Sequence, residues 1–528
     1  MQIGDFSGTM KAKLGHPWTR ALGDIVNIFP NLKEIEGLAR SGDTLLPVAI
    51  EIPADTLTPV NAFLRLRASG SHQTFLLESA DGGETVGRYS YLGIDPFASL
   101  LSTDGQLTFQ HFESAVLEKQ PTSFEAIGSY LDRYSSPKVE GMPPFVGGAI
   151  GYFSYDCVRY LEEIPVHAPS YAQHDVHFMF FKTILAFDRL KHRLTIVQLI
   201  DAKAQDLEAA YKAASERLHS IKKRLLHTSG QDEILELSFQ DLKHIEPIAA
   251  EATLGQEKFC EGVKKLKEHI RRGDIFQGVL SDRFRFPVKV DTFLIYRILR
   301  MLNPSPYLYH LSFGDEELLG ASPEMLVRAQ GRMIETCPIA GTRPRGRTQA
   351  EDLKLERELL ASVKERAEHL MLVDLGRNDI GRVSKPGTVE VQSFMHIERY
   401  SHVMHIVSNV VGELRKDRTS WDAFGACFPA GTLTGAPKIR AMQIISGLEG
   451  SQRGPYGGAI VCKDFTGDLN TCITIRSLYV KDGFGYAQAG AGVVADSKPL
   501  KEYEEVLNKA KGVRTAVAAA HHIAGGKS

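Results

Sequence analysis

The chain has 528 residues, of which 43% are hydrophobic and 24% charged, and its formal net charge is −2. This composition is typical of a globular protein with more than one domain. The near-neutral charge argues against broad nucleic-acid binding, which needs a basic surface, and no apolar run approaches the ~18 residues that span a bilayer. The cysteines form no CxxC pair, and the N-terminus lacks a secretory signal. We therefore expect a cytoplasmic protein without a nucleic-acid or membrane partner.

The first part of the chain predicts short helices and strands separated by turns. Residues 1–30 read as an extension without a clear pattern, and residues 32–68 as helices with connecting loops. Residues 75–93 contain two short strands around a DGG turn, and residues 176–200 read as a hairpin of two apolar strands. In residues 201–226, apolar side chains recur at three- and four-residue spacing, which predicts a helix.

The polar stretch over residues 227–252 predicts a linker. It would separate an N-terminal domain, residues 31–226, from a C-terminal domain, residues 253–520, which a tail over residues 521–528 follows. Hairpins mixed with separate helices favour an α+β fold with antiparallel sheets over regular βαβ alternation. The elements expected in the C-terminal domain are a helix from Phe259 to Arg272 ended by Gly273, a hairpin turning at Gln330 and Gly331, a helix from Glu351 to Val373, a three-stranded meander over residues 458–494 and a helix from Leu500 to Ala519.

The turn CPIAGTRPRG, residues 337–346, is the first candidate site. The backbone amides of Gly341 and Thr342 are placed to bind an anion. Arg343 and Arg345 would add positive charge. The residue at the tip, Ala340, has only a methyl group, so the tip offers no nucleophile.

Three glutamates form a second candidate site. Glu368 lies in a predicted helix, and Glu502 and Glu505 are three residues apart on one face of the last helix. Carboxylates from separate helices that meet at a cleft would suit Mg²⁺. The alternative is that these residues are solvated or stabilise helix dipoles.

A third set of residues would bind anions. In GTLTGAPK, Thr434 is expected to be the N-cap of a helix with Pro437 in its first turn, and the free amides there attract carboxylate or phosphate. Gly490 and Gly492 in AGAGVV leave the backbone bare on one face. Arg476 in TCITIRS would clamp a carboxylate, unless it faces solvent at a sheet edge.

Two further features are less specific. His402 and His405 are of the residue type that passes protons near neutral pH, although core and surface histidines without such a role are common. Residues 75–83, FLLESADGG, and residues 303–311, NPSPYLYHL, would form a small polar and aromatic pocket if they met. Alone, each segment is consistent with ordinary loop packing.

The order of motifs over about residues 255–515 resembles the chorismate-utilising enzyme family, and two upstream segments resemble the N-terminal domain of anthranilate synthase large subunits. The resemblance implies large antiparallel β-sheets packed in a sandwich with helices outside, plus an N-terminal α+β regulatory domain. The motifs are GDIFQGVLSDRF, NPSPYLY, GASPEMLVR, PIAGTRPRG, EHLMLVDLGRNDIGRV, YSHVMHIVSNVVGEL, FPAGTLTGAPKIRAM, GPYGGAI, TCITIRS, QAGAGVVADS and EYEEVLNKA, with LLESADGGETVGRYSYLG and GGAIGYFSYD upstream.

The resemblance implies conversion of chorismate and ammonia to anthranilate and pyruvate, in tryptophan biosynthesis. Ammonia adds at ring carbon 2 as the carbon-4 hydroxyl leaves, and pyruvate is then eliminated. Glu324 matches the acid that protonates the departing hydroxyl, and such an acid needs a raised pKa. His405 matches a position that handles a proton during pyruvate loss, and Thr432 matches a further catalytic position.

The same resemblance implies the binding residues. Glu368 and Glu505 match the positions that bind Mg²⁺, with Glu502 contributing through water, and Mg²⁺ would hold the ring carboxylate and withdraw charge. Arg476 would pair with the carboxylate of the enolpyruvyl arm. The other chorismate-binding positions are Gly341, Thr342, Tyr456, Gly490, Ala491 and Gly492.

Two positions distinguish the branches of the family. Gln277 stands where the water-using isochorismate-type enzymes carry a lysine base, and Ala340 stands where aminodeoxychorismate synthases carry an attacking lysine. Without these lysines, ammonia is expected to react directly. No cysteine lies in a recognisable nucleophile elbow, so a separate glutamine amidotransferase subunit is expected to supply the ammonia within a hetero-oligomer.

Four residues match the tryptophan site through which family members are feedback-inhibited: Ser79, Pro306, Tyr307 and Leu308. Many members carry methionine at the Leu308 position, and this exchange roughly preserves volume. Two alternatives to the full reaction remain open. One is an aminodeoxyisochorismate synthase that stops after amination, and the other is a non-catalytic, tryptophan-binding regulatory homologue.

Overall fold

The computed structural model describes residues 28–80, 87–165, 167, 170–226, 235, 237–399 and 403–525. Several sequence predictions fall on residues outside these ranges. They are the first 27 residues of the extension, the DGG turn, residues 227–234 and 236 of the linker, His402 and the last three residues of the tail.

Two antiparallel sheets, each of 12 strands, form the centre of the described part of the chain. The strands are β1 (Leu45–Pro53), β2 (Thr74–Glu78), β3 (Tyr89–Ile94), β4 (Ala98–Thr103), β5 (Gln106–His111), β6 (Leu117–Pro121), β7 (Gly148–Phe153), β8 (Val176–Phe181), β9 (Thr183–Asp188), β10 (Arg193–Asp201), β11 (Glu251–Ala252), β12 (Gln277–Pro287), β13 (Tyr307–Ser312), β14 (Glu316–Ser322), β15 (Met325–Gln330), β16 (Met333–Thr336), β17 (Ile339–Pro344), β18 (Glu390–Arg399), β19 (Val403–Glu413), β20 (Gly435–Ala436), β21 (Ala459–Asp464), β22 (Leu469–Ile473), β23 (Ser477–Lys481) and β24 (Phe484–Val493).

Both sheets combine strands from the two predicted domains. The first sheet has the order β1-β10-β9-β3-β2-β13-β14-β23-β24-β12-β11, with β20 beside β12, and the second has the order β17-β19-β16-β15-β22-β21-β7-β8-β4-β5-β6, with β18 beside β19. The two halves meet where Leu77 pairs with Tyr309 in the first sheet and where Tyr152 pairs with Ile460 in the second. The predicted linker therefore separates segments that share both sheets, and the division into domains stays a prediction.

Helices cover the outer face of the first sheet and pack against strands near both ends of the second. None of the described helices combines the length and the apolar character needed to cross a membrane. They are α1 (Leu32–Leu38), α2 (Pro59–Ala68), α3 (Phe124–Leu131), α4 (Leu207–Leu226), α5 (Phe239–His244), α6 (Gly255–Arg272), α7 (Thr292–Leu302), α8 (Gln349–Ala361), α9 (Val363–Gly381), α10 (Ser420–Cys427), α11 (Lys438–Glu449) and α12 (Pro499–Gly525).

The alternation of side chains along the first sheet creates two cores. Phe75 and Leu318 point into the core between the sheets, whereas their neighbours Leu76 and Leu319 point into the core beneath the helices. Each fully buried side chain of this size contributes about 1.5–3 kcal/mol. The predicted arrangement of antiparallel sheets in a sandwich with helices outside is therefore confirmed.

Local predictions were wrong at several places. Residues 45–53 form strand β1 rather than part of a helical region. The predicted long helix is two helices, because Ser362 adopts an extended conformation and its side chain caps Glu365 at the start of α9. The predicted hairpin over residues 176–200 is three strands, and the chain changes sheet at Lys182. Thr434 is buried and hydrogen-bonds to the backbone, while the N-cap of α11 is Pro437.

Candidate active site

A cleft of about 570 Å³ lies where strands of both sheets meet α9 and α12. Its wall includes strands β12 and β24 of the first sheet and β17 and β19 of the second. The cleft brings together every catalytic, metal-binding and chorismate-binding residue that the sequence predicted, except Ala491. The predicted residues that line it are Glu324, His405, Thr432, Gly341, Thr342, Tyr456, Arg476, Gly490, Gly492, Glu368, Glu502 and Glu505, together with Gln277 and Ala340.

Glu324 follows β14 and is held by contacts from two other segments. The amide of Ile473 donates to its backbone carbonyl at 3.0 Å, and Thr432 Oγ1 donates to its Oε1 at 2.8 Å. Burial raises the pKa of Glu324 to about 7, although the hydrogen bond from Thr432 acts in the opposite direction. A carboxyl with this pKa is protonated in a large fraction of molecules near neutral pH, which suits a general acid.

The turn CPIAGTRPRG forms β17, which pairs with β19 and contains a bulge between Ala340 and Thr342. Gly341 at the bulge has a φ of +66°, which favours glycine. Its carbonyl oxygen and Thr342 Oγ1 both lie 3.1 Å from Nδ1 of His405. Burial lowers the pKa of His405, so its imidazole is neutral at pH 7. The turn thus orients a neutral histidine at the cleft.

The two arginines of the turn do not offer free positive charge to an anion. Arg343 donates to Glu365 at 3.1 Å, and Arg345 forms an ion pair with Asp352 at 2.9 Å. The expectation that both arginines attract a ligand is therefore wrong, because each guanidinium contacts a carboxylate. Their contacts instead hold β17 against α8 and α9.

Arg476 lies in the segment that crosses from β22 in the second sheet to β23 in the first. The predicted single meander is therefore wrong, since its four strands are divided between the sheets. Arg476 has a φ of +53° at this crossing, and its side chain lines the cleft rather than a solvent-facing edge. Burial lowers its pKa, while Tyr456 and Glu505 act in the opposite direction. An arginine remains charged under such conditions and can bind a carboxylate through two parallel hydrogen bonds.

The glycines of β24 leave the backbone of the cleft wall uncovered. A Cβ atom on Gly490 would lie 2.9 Å from the hydroxyl of Tyr456, and one on Gly492 would lie 2.6 Å from Nε2 of Gln277. The side chain of Ala491, between them, points into the core beneath the helices. Only the backbone of Ala491 is therefore available to a ligand, which agrees with the alternation of a strand.

The acidic part of the cleft comes from two helices. Glu365 and Glu368 lie on α9, and Glu502 and Glu505 lie on α12. The pKa of Glu368 is raised by burial first, and then by the negative charges of Glu365 and Glu505. Burial and Glu505 also raise the pKa of Glu502. This arrangement of oxygen donors, whose mutual repulsion a cation would relieve, fits Mg²⁺.

A second cavity, of about 430 Å³, lies between the two sheets. All four residues of the predicted tryptophan site line it: Ser79, Pro306, Tyr307 and Leu308. Sequence reasoning missed Arg328 and Asp464, which also line the cavity and come from β15 and β21. Burial raises the pKa of Asp464 to about 7. Arg328 ends the motif GASPEMLVR, but the motif gives no sign that its side chain lies in this cavity, because strand pairing brings both residues there.

A cluster of buried polar side chains, apart from the two cavities, connects the sheets. His177 Nδ1 lies 2.6 Å from Oε1 of Glu316, and the hydroxyls of Tyr152 and Tyr479 donate to the same carboxylate at 2.9 and 2.5 Å. With His174, these residues place three potential metal-ligand atoms within 4.8 Å of one another. Glu316 already has three hydrogen-bonding partners, so its carboxylate is satisfied without an ion. The cleft carboxylates are therefore the better candidates for Mg²⁺.

Other charged residues of the cleft were also missed by sequence reasoning. Lys509 pairs with Glu505 at 2.6 Å and donates to the carbonyl of Gly490 at 2.9 Å. Lys364 lies beside Glu365 at the start of α9 and lines the cleft. The spacing of Glu505 and Lys509 along the helix was the available signal, but i, i+4 pairs are common on solvent-exposed helix faces.

The fold and the cleft define a class of protein. The sequence model of the family described as chorismate binding enzyme matches residues 72–515. The chain therefore belongs to the chorismate binding enzyme family.

Relatives of known activity place the chain more closely within this family. Anthranilate synthase component 1 of Acetivibrio thermocellus is 46% identical over 497 residues, which cover 94% of this chain and 99% of that protein. The protein of the same name from Aquifex aeolicus is 42% identical over 502 residues, which cover 93% of this chain and 98% of that protein. The chain is thus an enzyme of the family and is similar over most of its length to the proteins named anthranilate synthase component 1.

Solved structures agree with this assignment. Anthranilate synthase component I from Streptococcus pneumoniae has a TM-score of 0.72 at 36% identity, over 88% of this chain and 99% of that chain. The menaquinone-specific isochorismate synthase MenF from Escherichia coli has a TM-score of 0.66 at 16% identity, over 92% of this chain and 98% of that chain. At that identity, the likeness to MenF shows the fold alone.

Proposed function

We propose that this protein is the large subunit of an anthranilate synthase and converts chorismate and ammonia to anthranilate and pyruvate. The single observation that carries the proposal is the composition of the cleft. One cavity contains a partly buried arginine at position 476, a protonatable carboxyl at position 324 and the acidic group around Glu368. Chorismate has two carboxylates, a hydroxyl that must leave and an enolpyruvyl ether, and the cleft offers a matching group for each part.

Substrate would be held by charge and by bare backbone. Arg476 would pair with the carboxylate of the enolpyruvyl arm, because a guanidinium binds a carboxylate through two parallel hydrogen bonds. The backbone around Gly490 and Gly492 would approach the substrate closely, since a side chain there would collide with Tyr456 or Gln277. Thr342 and the amide of Gly341 would complete the binding surface beside His405.

Proton transfer would involve one residue that donates a proton and one that accepts a proton. Glu324 has a pKa raised to about 7 by burial and would give its proton to the departing carbon-4 hydroxyl. His405 has a lowered pKa and is neutral, so it would accept a proton during the elimination of pyruvate. Thr432 would orient Glu324 through its hydrogen bond at 2.8 Å.

Glu368 and Glu505, with Glu502, would hold Mg²⁺. When bound, this ion would withdraw charge through the ring carboxylate of chorismate. The protein places these carboxylates in one cleft on α9 and α12, where burial and the negative charges of Glu365 and Glu505 raise the pKa of Glu368.

Two inert residues favour direct attack by ammonia. Ala340 lines the cleft beside Gly341 and offers no amine that would attack the ring. Gln277 lies against Gly492 and is not a base that would activate water. Ammonia is already a nucleophile, so it needs neither group.

We further propose that a separate glutamine amidotransferase subunit supplies the ammonia in a cytoplasmic hetero-oligomer, and that tryptophan inhibits the enzyme from the second cavity. Ser79, Tyr307 and Leu308 line that cavity. Arg328, which also pairs with Glu335, and Asp464, whose pKa is raised by burial, lie in its wall as polar groups that would hydrogen-bond to the carboxylate and the ammonium group of an amino acid.

The test is a product assay with purified protein, chorismate, Mg²⁺ and an ammonium salt, with and without tryptophan. Release of fluorescent anthranilate would support the proposal. A non-aromatic amino acid as the final product would instead indicate an aminodeoxyisochorismate synthase. Folded protein that binds tryptophan but forms no product would indicate the non-catalytic regulatory homologue.

A further inference from the structure

A fully buried ion pair lies behind the wall of the cleft. Arg453 is 2% exposed, and its Nε and Nη2 donate to the two carboxylate oxygens of Glu449 at 2.8 and 2.7 Å. Glu449 also accepts from the amide and the hydroxyl of Ser281 at 2.8 and 2.7 Å. A buried ion pair is often no more stabilising than an apolar pair of the same volume, so stability alone does not explain it.

The remaining donors of Arg453 bind the backbone of the cleft wall. Nη1 donates to the carbonyl of Leu433 at 2.7 Å, and Nη2 donates to the carbonyl of Val279 at 2.8 Å. Leu433 and Val279 both line the cleft, whereas Arg453 itself does not. The guanidinium carbon also lies 4.5 Å from the ring centre of Tyr155 and 5.8 Å from that of Tyr456.

The carbonyl of Leu433 is one residue away from the hydroxyl that binds Glu324. Thr432 and Leu433 belong to a short 3₁₀ turn over residues 431–433, which has no side-chain cap. Among the described residues, the contacts that fix this turn to β12 include the hydrogen bond from the amide of Val279 to the carbonyl of Thr434, at 2.9 Å. Arg453 adds a second connection, because it holds the carbonyls of Leu433 and Val279 at the same time.

We propose that Arg453 is a positioning residue of the reaction, which sets the place of Thr432 against Glu324 and of Tyr456 against the substrate. The proposal rests on the proposed function. Only a planar guanidinium has enough donors in a fixed geometry to bind Glu449 and two carbonyls together. Glu449 would neutralise its charge, so that Arg453 organises the wall without competing with Arg476 for substrate carboxylates.

The test compares Arg453→Lys with the wild-type protein. The ammonium group keeps the ion pair with Glu449 but cannot reproduce the fork of hydrogen bonds. We expect a folded protein whose kcat with ammonia falls at least tenfold and whose dissociation constant for chorismate, from calorimetry without ammonia, rises severalfold. Arg514→Lys is the matched control, because Arg514 also binds a backbone carbonyl and lies over Phe284 of β12, away from the cleft.

The pH profile separates positioning from a merely structural role. The hydrogen bond from Thr432 lowers the pKa of Glu324, and Lys509 is the charged group that faces Glu324 from α12. Displacement of Thr432 would therefore move the alkaline limb of kcat to higher pH, in the same direction as Thr432→Val. A structural role alone would reduce the amount of folded protein and leave the limb unchanged.

Two results would overturn the proposal. One is a folded Arg453→Lys protein with kcat within twofold of wild type and the same pH limb. If Arg453→Lys does not fold, the double variant Arg453→Met with Glu449→Gln removes both buried charges, and wild-type kcat in that protein would be equally decisive. Failure of the proposed function can be told apart from failure of this proposal. In the first case the wild-type protein itself would make no anthranilate. The difference in chorismate binding between Arg453→Lys and wild type would still report on Arg453.

Discussion

Replacement of Glu324 by glutamine tests the central chemical assignment. Glutamine keeps the size of the side chain and can still accept the hydrogen bond from Thr432, but it has no proton to give to the leaving hydroxyl. A positioned general acid contributes roughly 10²–10⁴-fold to a rate. We therefore expect kcat of Glu324→Gln to fall by a factor in that range, which corresponds to roughly 3–5 kcal/mol in the activation free energy. The rate of anthranilate formation, followed by its fluorescence with excess ammonium salt, measures kcat directly.

The raised pKa of Glu324 makes the same residue visible in the pH dependence. At pH 7, a carboxyl with a pKa of about 7 is protonated in about half of the molecules, whereas one with the ordinary value of 4.5 would be protonated in about one of 300. The acid must be protonated to act, so kcat of the wild-type protein should fall about tenfold per pH unit above this pKa. The residual rate of Glu324→Gln should not show that limb.

Stability provides a measurement that is independent of activity. The folded-state pKa of Glu324 lies above its unfolded value, so its contribution to stability is fully present below pH 4.5 and is lost as the pH rises through about 7. The loss approaches about 3 kcal/mol for a shift of this size. Glu324→Gln should therefore gain stability relative to wild type between pH 5 and pH 8 in urea unfolding. The assignment would be refuted if Glu324→Gln and wild type had equal urea midpoints at pH 5 and again at pH 8, and if kcat of the variant stayed within threefold of wild type.

Three other substitutions test the remaining parts of the site. Ala340→Lys should lower anthranilate formation at least tenfold because the lysine side chain would enter the cleft. The control Ala340→Ser should have little effect. An unchanged rate for the lysine variant would show that this turn does not face the substrate. Glu368→Ala should abolish Mg²⁺-dependent turnover, while tryptophan binding survives in calorimetry. Its control is Glu358→Ala, which changes an exposed side chain. Activity that persists in Glu368→Ala would contradict the metal assignment. Ser79→Phe should leave kcat within about twofold and lose inhibition by tryptophan, because the ring would fill part of the second cavity; unchanged inhibition would exclude Ser79 from the inhibitor site.

Much of the fold followed from local patterns. The helix that ends before Gly273 and the hairpin near Gly331 are present, although the helix begins at Gly255 and the turn is at Gly331 and Arg332. Both elements were predictable because caps and tight turns depend on neighbouring residues. Strand β1 and the break at Ser362 were not predicted. Their conformations depend on pairing with β10 and on capping of α9, which periodicity does not reveal.

Nearly all of the site residues that the sequence predicted line the two cavities, but the sequence identified them mainly through their motifs. Spacing alone favoured a solvent-facing edge for Arg476, since a strand pattern does not show where the chain leaves one sheet for the other. Arg453 carried no signal at all. The four hydrogen bonds that its side chain donates join residues that lie far apart in the chain, such as Val279, Leu433 and Glu449.

The sequence by itself determined the family, the chemical types of the candidate residues and the absence of lysine at positions 277 and 340. These are properties of residue identity and order, and no folding is needed to read them. Only the tertiary structure decided which groups share an environment. The raised pKa of Glu324 comes from burial, and the placement of Arg476 in the cleft comes from a change of sheet between β22 and β23. Burial and contacts between distant strands are collective properties of the packed chain, so they exist only once both sheets have formed.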